Sequence, residues 1–251
     1  MALLWSKQDG DTRYEVRSAG NTRRLYTNGV FHSQYNSRQP VTGSVWDLLL
    51  LPAFFLPPDT VRRVLVLGVG GGAVIRQLNH FFSPQQIVGV ELNPVHLKVA
   101  REFFEVEQEN VELYQDDARW WLKRYRGDPF DVIIDDIFTD ADGEPQRAVA
   151  ADGPWMRGLL KHLAPEGVLV CNFGSPQELS ECACFWQPSI ARRFEAVFQL
   201  TTPLYENAIG AFVRQPASSA VLRERLRDVP GLNPDHKSSK LNYRIRKLQQ
   251  S

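Results

Sequence analysis

Between residues 64 and 214 one rhythm repeats along the chain: a short, unbroken apolar run, then a mixed stretch with helical spacing. The runs fall at residues 64–67, 87–90, 111–114, 131–135 and 168–172. Runs of that length without alternation read as strands buried on both faces. Residues 73–82 and 94–106 read as helices between them. Asn93 is a cap for the second helix, and Pro94 stands at its first helical position. Strand–helix alternation implies a parallel sheet with right-handed crossovers. Residues 197–201 and 208–214 flank Pro203 and Glu206-Asn207, and read as an antiparallel pair closing the sheet. Upstream, residues 12–36 alternate around turn signals. Asn28-Gly29 between two such runs predicts a hairpin, so a small antiparallel unit is expected. Residues 43–56 read as an apolar helix stopping at Pro57-Pro58. The chain thus divides into an N-terminal β unit (1–42), an α/β domain (43–215) and a polar tail (216–251). Lys237, Lys240, Arg244, Arg246 and Lys247 make the tail read as a solvated terminal helix rather than a nucleic-acid arm. No internal repeat is found.

Composition narrows the class. The chain has 251 residues, 43% of them hydrophobic, enough for a full core. Lys+Arg and Asp+Glu number 29 each, so charge gives no reason to expect a polyanionic partner. The opening MALLWSKQDGD has too short an apolar run for a signal peptide. No stretch approaches the roughly 20 apolar residues of a membrane span. The longest, residues 48–56, is interrupted by Pro52. Cys171, Cys182 and Cys184 are too few for a disulfide framework and lack metal-site spacing, so they read as ordinary thiols. A cytoplasmic protein without nucleic-acid, membrane or metal partners is expected.

The stretch VLVLGVGGGA carries the first chemistry. Gly68, Gly70 and Ala73 satisfy G-x-G-x-x-A, and Glu91 follows at about the twenty-residue distance of a ribose-binding acid. Glycines let a ligand approach the backbone, the helix start offers free N–H groups, and a carboxylate accepts ribose hydroxyls. NAD fits this loop as well as any adenosine ligand. Two later acidic sites favour S-adenosylmethionine. Asp116-Asp117-Ala118 follows the third strand, where a carboxylate can accept from an adenine amino group, and Asp135-Asp136 ends the fourth. Ligands of open α/β sheets sit at the carboxyl ends of strands, so these residues are expected around one crevice.

With these motifs the chain resembles the spermidine synthase family, a branch of the class I methyltransferase fold. YEVRSAGNTRRLYTNGVFHSQYN is similar to that family's N-terminal strand region, VLVLGVGGGAVIR to its glycine motif, VGVELNP to its ribose acid, DDARWWL to its adenine contact and FDVIIDD to the strand ending in its catalytic aspartate. The resemblance implies a mostly parallel Rossmann-like sheet with an antiparallel strand near the C-terminus and a small N-terminal β unit. It implies aminopropyl transfer from decarboxylated S-adenosylmethionine to putrescine, Asp136 in the catalytic role, a donor site at Gly68, Gly70, Gly71, Gly72, Glu91, Asp116, Asp117 and Ala118, and a homodimer. Three departures fall on the aminopropyl and diamine contacts. Gly71 stands where the family's loop has an aspartate facing the donor's free amine, a place where S-adenosylmethionine also carries a carboxylate that an acid would repel. Val45-Trp46 replaces a Tyr-Gln pair. Asp136-Ile137-Phe138-Thr139 lacks the family's second acid, with Asp140 one residue late.

In either transfer a nucleophile attacks carbon bonded to a sulfonium, and an amine nucleophile needs a base at neutral pH. Asp136 is the candidate base or amine-orienting group. Residues 137–152 read as a lid, whose Asp140, Asp142, Glu144 and Asp152 against a single Arg147 suit a cationic acceptor. Asp140, Asn172, Tyr205 and Trp46 are candidate acceptor contacts. Trp155 is a further candidate to close that pocket, and Trp120 and Trp121 are candidates to flank adenine or the sulfonium, with at least one of the two expected in the core. Three readings stay open: a methyltransferase on a spermidine synthase scaffold, placed first because the three departures fall on the aminopropyl and diamine contacts while the adenosine contacts stay; an aminopropyltransferase; and a non-catalytic nucleoside-binding protein.

Overall fold

The computed structural model describes residues 1–141 and 144–249, with the side chains of 140, 141 and 144 left out. The chain opens with an antiparallel meander, β1 (Ala2–Asp9), β2 (Thr12–Ala19), β3 (Thr22–Thr27) and β4 (Val30–Asn36), paired in sequence order. The hairpin expected at Asn28-Gly29 joins β3 to β4. β1 was not expected, because almost all of its residues are exposed and no alternation marks it. Val16, Leu25 and Tyr35 form the unit's apolar face, which packs on Val99 and Phe104 of the neighbouring domain.

The expected apolar helix is present as α1 (Val45–Leu50), which tightens into a 3₁₀ turn at Leu51–Phe55. The α/β rhythm then runs β5 (Arg63–Leu67), α2 (Ala73–Phe81), β6 (Gln86–Glu91), α3 (Pro94–Phe104), β7 (Val111–Gln115), α4 (Ala118–Arg124) and β8 (Phe130–Asp135). A short hairpin follows, β9 (Phe138–Ala141) and β10 (Glu144–Arg147). After it come α5 (Gly153–His162), β11 (Leu163–Phe173), the short α6 (Pro176–Ser180) and α7 (Pro188–Ala191), β12 (Ala196–Thr201), β13 (Ala208–Val213), α8 (Ser219–Arg227) and β14 (Arg244–Leu248). Among the described residues the large sheet has the order β14-β12-β13-β11-β8-β5-β6-β7. From β11 to β7 every pairing is parallel, whereas β13 runs antiparallel between β11 and β12. The architecture is the mostly parallel, Rossmann-like one with an antiparallel end.

Successive strand residues point to opposite faces, so each central strand feeds two cores. Val64 and Val66 pack with Leu48, Leu49, Ile75 and Leu78 on one face. Leu65 and Leu67 pack with Trp121, Met156 and Leu159 on the other. The tail departs from expectation. Residues 244–248 are not helical; they pair antiparallel with β12 as the edge strand. Their pattern Arg-Ile-Arg-Lys-Leu alternates, and a cationic outer edge strand discourages further pairing. Among the described residues, no helix is long and apolar enough to cross a membrane.

Candidate active site

At the carboxyl ends of β5, β6, β8 and β11 lies a cavity of about 900 Å³. Gly68 opens the loop after β5 at φ +83°, a left-handed conformation that favours glycine. A Cβ there would stand 2.2 Å from the backbone oxygen of Asp136. Glycine therefore lets the loop close directly on the end of β8. The loop is tied to β6 through Glu91, whose Oε2 accepts from the N–H groups of Val69 (3.0 Å) and Gly70 (2.9 Å). Its Oε1 accepts from Asn93 N–H at 2.8 Å. Burial raises the Glu91 pKa, and the amides of Asn93, Gly70 and Val69 oppose the shift. Asn93 caps α3 by accepting from Val95 N–H.

Asp116 and Asp117 line the cavity beside Ala118, and each is paired: Asp116 with Arg124, Asp117 with Arg119. Asp117 also accepts from Arg119 N–H at 2.8 Å, capping α4, and its hydrogen bonds to Arg119 lower its pKa. The N-terminal unit supplies the facing wall with Tyr14, Thr27, Phe31 and His32. His96 of α3 lies in the seam, its Nε2 2.9 Å from Thr27 Oγ1 and its Nδ1 3.9 Å from Glu91 Oε1. Burial drives its pKa down to about 4, so it is neutral at physiological pH.

Asp136 follows β8, its backbone N–H held by Leu67 O and its Oδ1 accepting from Asn172 Nδ2 at 2.7 Å. Desolvation pushes its pKa up to about 7; the Asn172 bond and Arg147 pull it down, while Asp135 and Glu91 raise it. A carboxyl near 7 can take a proton at neutral pH. Asn172 Oδ1 in turn accepts from Asn207 Nδ2 at 3.0 Å. Trp46 lines the cavity edge-on to Phe31 at 5.1 Å, and Ser44 Oγ donates to Tyr205 Oη at 2.7 Å. Asp47 positions that corner by accepting from Thr42 N–H and Gly43 N–H.

The structure thus gathers Gly68, Gly70, Glu91, Asp116, Asp117, Ala118, Asp136, Asn172, Tyr205 and Trp46 around one cavity. Gly71 and Gly72 do not line it. A Cβ on Gly71 would press on Ser33 Cβ at 2.7 Å and Phe104 at 3.0 Å, and one on Gly72 on Val106 at 2.5 Å. The expected donor contact at Gly71 is therefore a packing contact with the N-terminal unit. Trp121 stacks on Tyr125 in the core, as expected of at least one of the pair, while Trp120 is exposed beneath Lys123 and Trp155 does not line the cavity. Trp155 is buried, with Nε1 donating to Asp135 Oδ2 at 2.8 Å. Of the expected lid, Ile137, Phe138, Thr139, Pro145, Ala148 and Val149 line the cavity. The side chains of Asp140 and Glu144, and all of Asp142, lie outside the described residues. Arg147 is buried, pairing with Asp135 Oδ2 at 2.6 Å and donating to Asn172 O at 2.6 Å. Asn207, His32, His96 and Thr27 were not foreseen as site residues. Asn207's signal was available, because the residue before an antiparallel strand sits where its parallel neighbour ends.

Comparison with known proteins agrees with this fold. The family model described as spermine/spermidine synthase domain matches residues 48–222. The chain is 32% identical to polyamine aminopropyltransferase 2 of Caldanaerobacter subterraneus over 106 residues, which cover 41% of this chain and 35% of that protein. It is 26% identical to the polyamine aminopropyltransferase of Chromobacterium violaceum, covering 64% of this chain and 61% of the relative. The chain thus spans about a third to three fifths of the length of these curated relatives. A crystal structure of a probable spermidine synthase from Corynebacterium glutamicum superposes with a TM-score of 0.71 at 21% identity, covering 92% of this chain and 88% of that one. That likeness shows the fold.

Proposed function

The chain belongs to the spermine/spermidine synthase domain family, and from that premise we propose that it transfers an aminopropyl group from decarboxylated S-adenosylmethionine to a primary amine. The observation that carries this reading is the placement of Asp136, a carboxyl with pKa about 7, in the same cavity as Glu91 and Asp116-Asp117. The residues fit a nucleoside: Gly68 and Gly70 line the cavity without side chains, and Glu91 Oε1 accepts one hydrogen bond and has capacity for another. The amine nitrogen attacks the aminopropyl carbon bonded to sulfur. The C–S bond breaks, its electron pair stays on sulfur, and 5′-methylthioadenosine leaves. The proton lost by the amine passes to Asp136 or to water. Asp136 also holds the amine, so orientation and deprotonation share one group.

Methyl transfer, placed first from the sequence, rested on Gly71 and on the lost diamine contacts at Val45-Trp46 and Ile137-Phe138-Thr139. The Gly71 position faces Ser33 and Phe104, so its missing acid does not discriminate between donors. The names of the curated relatives support aminopropyl transfer instead. The test is calorimetry with both donors, followed by an assay of amine-dependent methylthioadenosine release with putrescine. Tighter binding of the decarboxylated donor and release above the amine-free rate are expected. Preference for the carboxylated donor, with methylated amine as product, would overturn the reading. Donor binding without turnover would point to the non-catalytic alternative.

A further inference from the structure

The antiparallel end of the sheet brings an unassigned side chain to the reacting carboxylate. β13 runs against β11, pairing Asn172 with Ile209 and Phe173 with Ala208. Asn207, one residue before β13, is thereby set at the crevice end of β11. Its Nδ2 donates to Asn172 Oδ1 (3.0 Å), and Asn172 Nδ2 donates to Asp136 Oδ1 (2.7 Å). Arg147 fixes the same asparagine from behind by donating to its backbone carbonyl at 2.6 Å. The relay has a direction. An ionised carboxylate only accepts, so Asn172 must turn its NH₂ toward Asp136. Its carbonyl oxygen then needs a donor on the far side, and Asn207 is that donor. If the Asn172 amide flipped, its carbonyl oxygen would face the carboxylate, and Asn207 as now oriented would present NH₂ to NH₂.

We propose that Asn207 is a positioning residue which, by locking the orientation of the Asn172 amide, keeps Asp136 ionised and leaves its second oxygen for the acceptor amine. Only the kinetic part of this proposal rests on the transfer reading above. Among the described residues, the charged groups acting most on Asp136 are Asp135 and Glu91, which oppose its ionisation, and Arg147, which favours it. None of them is touched by a change at Asn207.

The direct test titrates the Asp136 carboxyl by carbon-13 NMR, with Asp136→Asn identifying the resonance, in the wild-type protein, Asn207→Ala, Asn207→Ser and Asn207→Asp. Asn207→Ala frees the amide, and the Asp136 midpoint should rise by about one pH unit, the size expected for weakening one hydrogen bond to the charged form. Asn207→Ser retains an O–H donor and should shift less. Asn207→Asp accepts from Asn172 and reverses the relay, so it should shift most. In turnover, kcat/KM of Asn207→Ala should fall about fivefold at pH 7 and return to within twofold of wild type at pH 9, with donor affinity unchanged. A purely structural role would depress the rate equally at both pH values. An Asp136 midpoint unmoved in Asn207→Ala, or in Asn207→Ser should the alanine variant not fold, would overturn the proposal. The titration needs no turnover. A protein that shows the shifts but no aminopropyl transfer would refute the functional reading and leave the relay standing.

Discussion

At Asp136 stability and reactivity oppose each other. Its folded-state pKa, about 7, lies above the ordinary 3.8 because burial disfavours the charge. The stability it contributes is present below about pH 4 and is lost as pH rises through 7. Asp136→Asn should therefore raise the stability at pH 8 by about 1–3 kcal/mol, measured by urea unfolding, while abolishing amine-dependent release of methylthioadenosine. His96 has the opposite sign. Its folded pKa, about 4, lies below the usual 6.5, so its contribution is present above 6.5 and lost as pH falls through 4. His96→Gln keeps a polar partner for Thr27 and should flatten the loss of stability between pH 6.5 and 4 by up to about 3 kcal/mol. Unfolding curves at several pH values check it; an unchanged pH dependence would show that His96 is not the titrating group. Asp136 and Glu91 were legible in sequence because each sits where an apolar run ends, and the fold directs such ends to the crevice. His96 and Asn207 were not, because their partners Thr27 and Asn172 lie 69 and 35 residues away.

Among the described residues, the β9–β10 hairpin is anchored by Arg147. Arg147, at the end of β10, pairs with Asp135 on β8, donates to Val149 O and Asn172 O, and lies over the Phe173 ring at 5.1 Å. Asp135 is fully buried, and its Oδ1 has no hydrogen-bond partner among the described residues. Removing the guanidinium leaves an uncompensated charge behind the reacting carboxylate. Arg147→Met should cost about 3–5 kcal/mol and lower kcat more than it weakens donor binding. Thermal melts and calorimetry with methylthioadenosine separate the two effects. An equal loss of donor affinity would show that the anchor serves the whole cavity. Elements differed in legibility for physical reasons. β5, β6 and β8 are buried on both faces and announce themselves as apolar runs. β1 is almost wholly exposed and has no such signature. β14 shows alternation, but its Arg and Lys residues suggested a solvated helix, since edge strands carry charge for reasons a local window does not reveal.

Across the whole molecule the N-terminal β unit and the α/β domain share the cavity, and Gly71 lies against Ser33 of that unit. By sequence alone, restoring an aspartate there should improve the site for a decarboxylated donor. The packing predicts otherwise. A Cβ at Gly71 would stand 2.7 Å from Ser33 Cβ, 2.8 Å from Ser33 Oγ and 3.0 Å from Phe104 Cδ1. Real Cβ atoms do not tolerate such approaches, so β4 must move away from the glycine loop. His32 lies on β4 and lines the cavity, and Phe104 joins the small core that seats the unit on α3. The displacement would therefore reach the ligand wall. Gly71→Asp should destabilise the protein by about 1–3 kcal/mol, the range for overpacking, and weaken binding of both donors alike. Gly71→Asp with Ser33→Gly removes the nearest obstacle and should recover part of the stability without creating a preference for either donor. Melting curves and paired donor titrations on the single and double variants decide it. If Gly71→Asp instead bound the decarboxylated donor more tightly while melting normally, the side chain would have to reach the cavity. The interface between the two units would then be looser than its buried contacts imply.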